Sequence, residues 1–250
     1  MGKIIAIGGG EIGRPGYPVE TTKIDREIIR LTGKKSPKLL FLPTASSDDS
    51  GYAKVVEKHF GKRLGCRVDV LYLIGTKTAA REIEKRVLQS DIIYVGGGNT
   101  LKMLKIWRKR GVDRALEKAY KKGIVLSGVS AGSICWFDSG ISDSRRMIDP
   151  GADYIKIGAL KFIPALHCPH YNSEKDRVPQ LKKTMKKHGG IAIAIDNCCA
   201  IEVIDNSYRI ISSKSNANAY KVYWKEGKFF EDKIRKTKEF SPVSELIGKS

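Results

Sequence analysis

Histidine is scarce in this chain: there are four, His59, His167, His170 and His188, in 250 residues. Chemistry that needs an imidazole is confined to those positions. Cysteine is scarce too. Cys66, Cys135, Cys168, Cys198 and Cys199 show no paired metal spacing and are odd in number, which excludes a zinc ribbon and argues against a disulfide framework. No metal and no cofactor is expected. No run approaches the roughly 18 apolar residues of a membrane span. The chain enters a strand at Lys3 without a charged-then-apolar leader, so no signal peptide is read and a reducing cytoplasm is the expected home. Acidic residues are in deficit, 27 against 46 Lys and Arg, for a net charge of +19. Such a field attracts anions. The basic residues are scattered doublets, from Lys34-Lys35 to Lys186-Lys187, without an arginine-rich tract or interleaved aromatics. A solvated basic surface is therefore preferred over nucleic-acid binding, and an acidic substrate fits the charge.

What is present is strand–helix alternation. Apolar, β-branched runs at 3–7, 38–42, 68–73, 92–95 and 124–127 alternate with helical periodicity. The pattern predicts an α/β fold: a single three-layer domain over 1–250, with a mostly parallel sheet and helices on both faces. Short strands at 200–204, 208–211 and 219–224 predict an antiparallel C-terminal meander closing that sheet, and residues 231–250 read as a basic tail wrapping the surface. Neither an internal repeat nor a low-complexity linker interrupts the chain. Gly8-Gly9-Gly10-Glu11-Ile12-Gly13 satisfies G-x-G-x-x-G, but Pro15 and Pro18 follow where a dinucleotide site requires a helix. It reads as a glycine-rich loop at a strand end.

Gly128-Val129-Ser130-Ala131-Gly132 follows a buried strand and precedes Ser133-Ile134-Cys135-Trp136-Phe137, which suits the opening turns of a buried helix. Strand, Gly-x-Ser-x-Gly and helix together form the sequence of a nucleophile elbow, with the serine held out on a tight turn and the next N–H facing a developing oxyanion. A bare pentapeptide also fits an ordinary turn; the flanking elements favour the elbow. Gly96-Gly97-Gly98-Asn99-Thr100 ends another strand. Asn99 or Thr100 can simply cap the next helix. Alternatively the glycines offer a second oxyanion donor beside a substrate that Asn99 and Thr100 contact. A serine nucleophile needs a base. His59 and His188 lie in helices, which leaves His167 and His170, with His170 at a strand-to-loop exit. Asp196 or Asn197, ending the strand 190–195, can orient it, or either can serve a turn.

These three motifs, Gly96 to Thr100, Gly128 to Gly132 and Pro169-His170-Tyr171, resemble in order and spacing those of peptidase family S51, the aspartyl dipeptidases and cyanophycinases, over about residues 1–225. The resemblance implies a fold similar to class I glutamine amidotransferases. It further implies Ser130 as nucleophile, His170 as base, and an oxyanion hole from Ala131 and Gly97 or Gly98. Where the family pattern has a glutamate, this chain aligns Asn197; Asp196 substitutes if the loop is shifted, and Asp143 is a fallback. Arg177 follows the histidine in the region where peptidase E carries its aspartate-recognising arginine, one turn past that position by alignment through Leu181, or else it pairs with Glu174 or Asp176 as a structural residue. The expected function is a serine peptidase on dipeptides with N-terminal Asp. A cyanophycinase-like exopeptidase or a non-catalytic binder of anions are the alternatives. The oligomeric state stays open, a homodimer included.

Overall fold

A computed structural model of the chain describes residues 2–248. In its first half β1 (Lys3–Ile7), α1 (Thr22–Arg30), β2 (Lys38–Leu42) and α2 (Ser50–Val56) alternate as expected, and α2 runs on into a π-helix over Glu57–Arg63. β3 (Arg67–Val70), α3 (Ala80–Leu88), β4 (Ile92–Val95), the pair α4 (Thr100–Arg110) and α5 (Val112–Lys121), and β5 (Val125–Val129) complete it. These five strands lie parallel in the order β1-β5-β4-β2-β3.

The strands are apolar at nearly every position because both faces of the sheet are covered. Ile4, Ala6, Leu40, Leu42, Ile93 and Val95 face one core with Ile83, Met103, Trp107 and Leu116 from α3, α4 and α5. Their neighbours Ile5, Ile7, Leu39, Phe41, Ile92 and Tyr94 face the other, with Ile24 and Ile28 from α1, Val56 from α2, and Phe60. The period-2 alternation of a strand divides each run between the two cores.

The second half departs from the expectation in two ways. The helix after the elbow is a single turn, α6 (Ala131–Ile134), and Phe137 already opens β6 (Phe137–Ser142). After β7 (Ile155–Gly158), β8 (Ile163–Cys168), α7 (Arg177–His188) and β9 (Ile191–Ile195), the meander divides between two sheets. β10 (Cys199–Ile204) and β11 (Ser207–Ser212) extend the first sheet antiparallel to β1. β12 (Ala219–Lys225) instead pairs with β9, and β13 (Lys228–Lys233) with β12, in a second, six-stranded sheet ordered β13-β12-β9-β8-β6-β7. The polar segment 213–218 is too long for a tight hairpin and carries the chain across. The second sheet shares Ile193 and Ile195 with the first core and buries Leu166, Ala192 and Ala194 against α7.

Residues 231–248 are more structured than a wrapping tail. They finish β13, add β14 (Ser241–Pro242) to the edge of the first sheet, and end in α8 (Val243–Ile247) with Leu246 buried; 249 and 250 lie outside the described residues. Among the described residues no helix is long and apolar enough to cross a membrane.

Candidate active site

The elbow is a physical necessity of the local packing. A Cβ on Gly128 would stand 2.4 Å from Gly132 O, and one on Gly132 2.2 Å from Val95 O. Both positions therefore exclude a side chain, and Ser130 between them takes φ 58° and ψ −114°, a conformation non-glycine residues rarely hold. The turn is secured from below, where the N–H groups of Ser133 and Ile134 donate to Ser130 O at 2.9 and 3.0 Å. Ala131 opens α6, so its N–H has no acceptor within the helix and is available to a ligand.

His170 leaves β8 with a positive φ of 56°, and its N–H donates to Gly8 O at 3.1 Å. Its Nε2 lies 2.8 Å from Ser130 Oγ and its Nδ1 2.7 Å from Asn197 Oδ1. The amide oxygen can only accept, so Nδ1 carries the hydrogen and Nε2 is left to accept the serine hydroxyl. Burial, reinforced by the positive charge of Arg177, pushes the pKa of His170 below its ordinary value and keeps the ring neutral. Asn197 is anchored by donating its N–H to Asn172 Oδ1 at 3.0 Å.

One participant has no chemistry of its own. A Cβ on Gly9 would fall 1.9 Å from Asn197 Oδ1 and 2.5 Å from His170 Nδ1, so the His170–Asn197 contact exists because position 9 lacks a side chain. Nothing in the local sequence names Gly9, but three consecutive glycines at the carboxyl end of β1 were the available signal. Asn172 and Tyr52, which also belong to the site, carry no motif.

Several expected site residues are elsewhere. Asp196 points away from His170: it is buried, and its Oδ2 accepts the N–H of Asn218 at 2.8 Å. The strand-end alternation that turns Asn197 toward the histidine turns Asp196 to the other face. Asp143 lies 3.9 Å from the Arg177 guanidinium and makes no contact with His170. Arg177 is 2% exposed, donates to Glu174 at 2.6 Å and to Ile141 O at 3.2 Å, and stacks over Tyr154. It is the structural ion pair, reaching His170 only through its charge. Asn99 caps α4 by accepting the N–H of Lys102 at 2.9 Å and donates to Ser144 O at 3.0 Å, while Thr100 is buried at the helix start. His167 is fully buried, 2.8 Å from Ser133 Oγ and 2.9 Å from Ile193 O.

Gly97, Gly98, Ser130, His170 and Asn197 line one cleft of about 1310 Å³, flanked by loop residues 10–17 and by Tyr52, Lys54 and Lys58 of the α2 segment. Gly97 stands directly against the elbow, since a Cβ there would meet Ser130 Cβ at 3.4 Å. Its N–H reaches Tyr52 Oη at 3.4 Å. A hydroxyl bonded to an oriented neutral imidazole, beside main-chain N–H groups and open to a cleft, is equipped for acyl transfer.

The family model for peptidase family S51 matches residues 4–211. The chain is 35% identical over 235 residues to an uncharacterized peptidase, YgaJ, of Bacillus subtilis strain 168, covering 92% of this chain and 96% of that protein. In fold it is similar to a peptidase crystal structure from an acI-B1 Actinobacterium, with a TM-score of 0.73, 18% identity and 97% of each chain covered. It is also similar to a putative peptidase E from Listeria monocytogenes, with a TM-score of 0.62, 19% identity, and 85% of this chain and 98% of that one covered. The chain thus belongs to peptidase family S51.

Proposed function

We propose that the protein is a serine-type peptidase that hydrolyses short peptides through an acyl-enzyme on Ser130, with N-terminal aspartate as its favoured residue. The observation that carries the reading is the unbroken chain from Ser130 Oγ to His170 Nε2 and from His170 Nδ1 to Asn197 Oδ1, at 2.8 and 2.7 Å. It also weighs against a non-catalytic anion binder, which has no need of an aligned base.

In this reading Ser130 Oγ attacks the scissile carbonyl carbon while its proton passes to His170 Nε2. The tetrahedral oxyanion accepts from the N–H groups of Ala131 and Gly97. Collapse breaks the C–N bond, and the leaving amine takes the proton back from His170. Water then attacks the ester with His170 again as base, which frees Ser130 and the acid product. Asn197 holds the required tautomer throughout but contributes no negative charge to the imidazolium.

The preference for an acidic side chain is supported by Lys54 and Lys58 on the cleft wall and by the net charge of +19; Arg14 in the same wall is paired with Glu11. The fold is shared with a putative peptidase E of Listeria monocytogenes. Arg177, buried in its own ion pairs, takes no part.

The test compares wild type with Ser130→Ala on a panel of dipeptides and on aspartate-rich polymer, measuring released amino acids. Release from Asp-initiated dipeptides by the wild type alone is expected. Ser130-dependent release from other dipeptides, or from the polymer, would keep the mechanism and overturn the specificity. Absence of any Ser130-dependent release would overturn the reading.

A further inference from the structure

Tyr52 is a cleft residue with an unspent hydrogen. It sits in the first turn of α2, where its N–H donates to the capping Asp49 Oδ1 at 2.5 Å. Its ring meets Phe41 edge-on, with centroids 5.1 Å apart. On the other side it packs against the glycine run, for a Cβ on Gly96 would fall 2.8 Å from its Cε1. Cap, aromatic edge and glycine backbone leave the ring little freedom.

The phenol oxygen accepts the N–H of Gly97 at 3.4 Å, a long and weak bond. Among the described residues the Tyr52 O–H itself has no acceptor, although Tyr52 lines the same cleft as Ser130. Gly97 is the residue whose backbone abuts the Ser130 side chain, with 3.8 Å from its virtual Cβ to Oγ. The Gly97 N–H and the phenol it meets thus sit in the wall of the cleft that holds the nucleophile. An oxygen arriving there replaces the weak Gly97–Tyr52 bond with two donors of its own.

We infer that Tyr52 is a side-chain donor of the oxyanion hole, its O–H turning to the carbonyl oxygen as that oxygen becomes an anion on Ser130. Burial pushes the phenol up to about 12, so it remains a protonated donor across the working range of a histidine base. The proton stays on Tyr52 throughout, and no bond other than those of the acyl transfer forms or breaks. A donor that tightens only on the tetrahedral species accelerates turnover without improving substrate binding.

The inference rests on the peptidase reading above, and Tyr52→Phe, which removes only the hydroxyl, tests it apart from that reading. The expected result is a fall in kcat of roughly 10- to 1000-fold with KM within about twofold. A peptide aldehyde that forms a tetrahedral adduct on Ser130 should lose affinity by a similar factor, while product binding is unchanged. KM and the inhibition constant do not depend on the folded fraction, so their ratio remains informative if the variant melts earlier. Wild-type kcat in Tyr52→Phe, or a lower kcat with undiminished aldehyde affinity, would overturn the inference and leave the peptidase reading intact. A wild type without Ser130-dependent turnover would overturn both.

Discussion

His170 Nδ1 stands 2.7 Å from Asn197 Oδ1, an amide where the family resemblance places a carboxylate. The two groups share one task and differ in another. Either can accept Nδ1–H and fix the tautomer, but only a carboxylate also attracts the positive ring formed in the transition state. Asn197→Asp, nearly identical in shape, should raise kcat and move the acid limb of kcat/KM upward by about one pH unit or more. Asn197→Ala should lower kcat by roughly 10²- to 10⁴-fold. The pH–rate profiles of the three proteins decide it: an unmoved acid limb in the Asp variant would mean that residue 197 does not act on His170.

The wild-type pH dependence has a definite sign. Burial first, then the nearby Arg177 cation, lowers the pKa of His170, so the neutral base survives to pH values at which an ordinary imidazole, near 6.5, is already charged. Activity should therefore persist below that pH. An NMR titration of the His170 ring in Ser130→Ala should show its midpoint on the acid side of the ordinary value. A midpoint on the alkaline side would contradict the structure.

Which features were legible in the sequence follows from the range of the forces that set them. The five parallel strands are written in local apolar runs, and the elbow in the steric demand of Gly128 and Gly132. His170 could be singled out because only four histidines exist. The partition of β10 to β13 between two sheets was not legible, since alternation in a short strand does not say which neighbour it pairs with. Nor was Arg177: spacing placed it after the histidine, but its burial against Ile141 O and Glu174 is a tertiary fact. Asn197 over Asp196 was decided by which face of the strand end meets the loop after β1, and Gly9, which permits it, is far away in sequence.

Gly9 supplies the third prediction. Alanine there places a methyl 1.9 Å from Asn197 Oδ1, well inside contact distance, so Asn197 or His170 must move. Displacements of this size in a catalytic constellation cost about 10²-fold. Gly9→Ala should lose at least that in kcat while keeping a native circular dichroism spectrum. Gly158→Ala, where a Cβ meets no atom within 4 Å, should match wild type. Undiminished turnover in Gly9→Ala would show that the His170–Asn197 contact is dispensable.

The last prediction concerns the second Ser–His pair, which lies beneath the first. His167 is fully buried, stacked on Phe137 with centroids 4.3 Å apart, and donates Nδ1–H to Ile193 O. With Nδ1–H spent on Ile193 O, Nε2 of the neutral ring is left to accept the one hydrogen of Ser133 Oγ, 2.8 Å away. Burial drives its pKa down to about 3. The native state thus refuses a proton that the unfolded chain takes up near pH 6.5. Stability from this residue is complete above that pH and declines as the pH falls toward about 3, by up to about 1.4 kcal/mol per pH unit. His170, also depressed, titrates in the same direction, so the quantity to measure is the difference between wild type and His167→Gln in urea-unfolding free energy between pH 7 and 5. That difference should shrink as the pH falls, by roughly one proton's worth of slope. Ser133→Ala, which strands Nε2 without a donor, should cost about 1–3 kcal/mol at neutral pH. Parallel curves for wild type and His167→Gln would show that His167 takes up its proton equally in both states, and the buried pair would then be no more than packing.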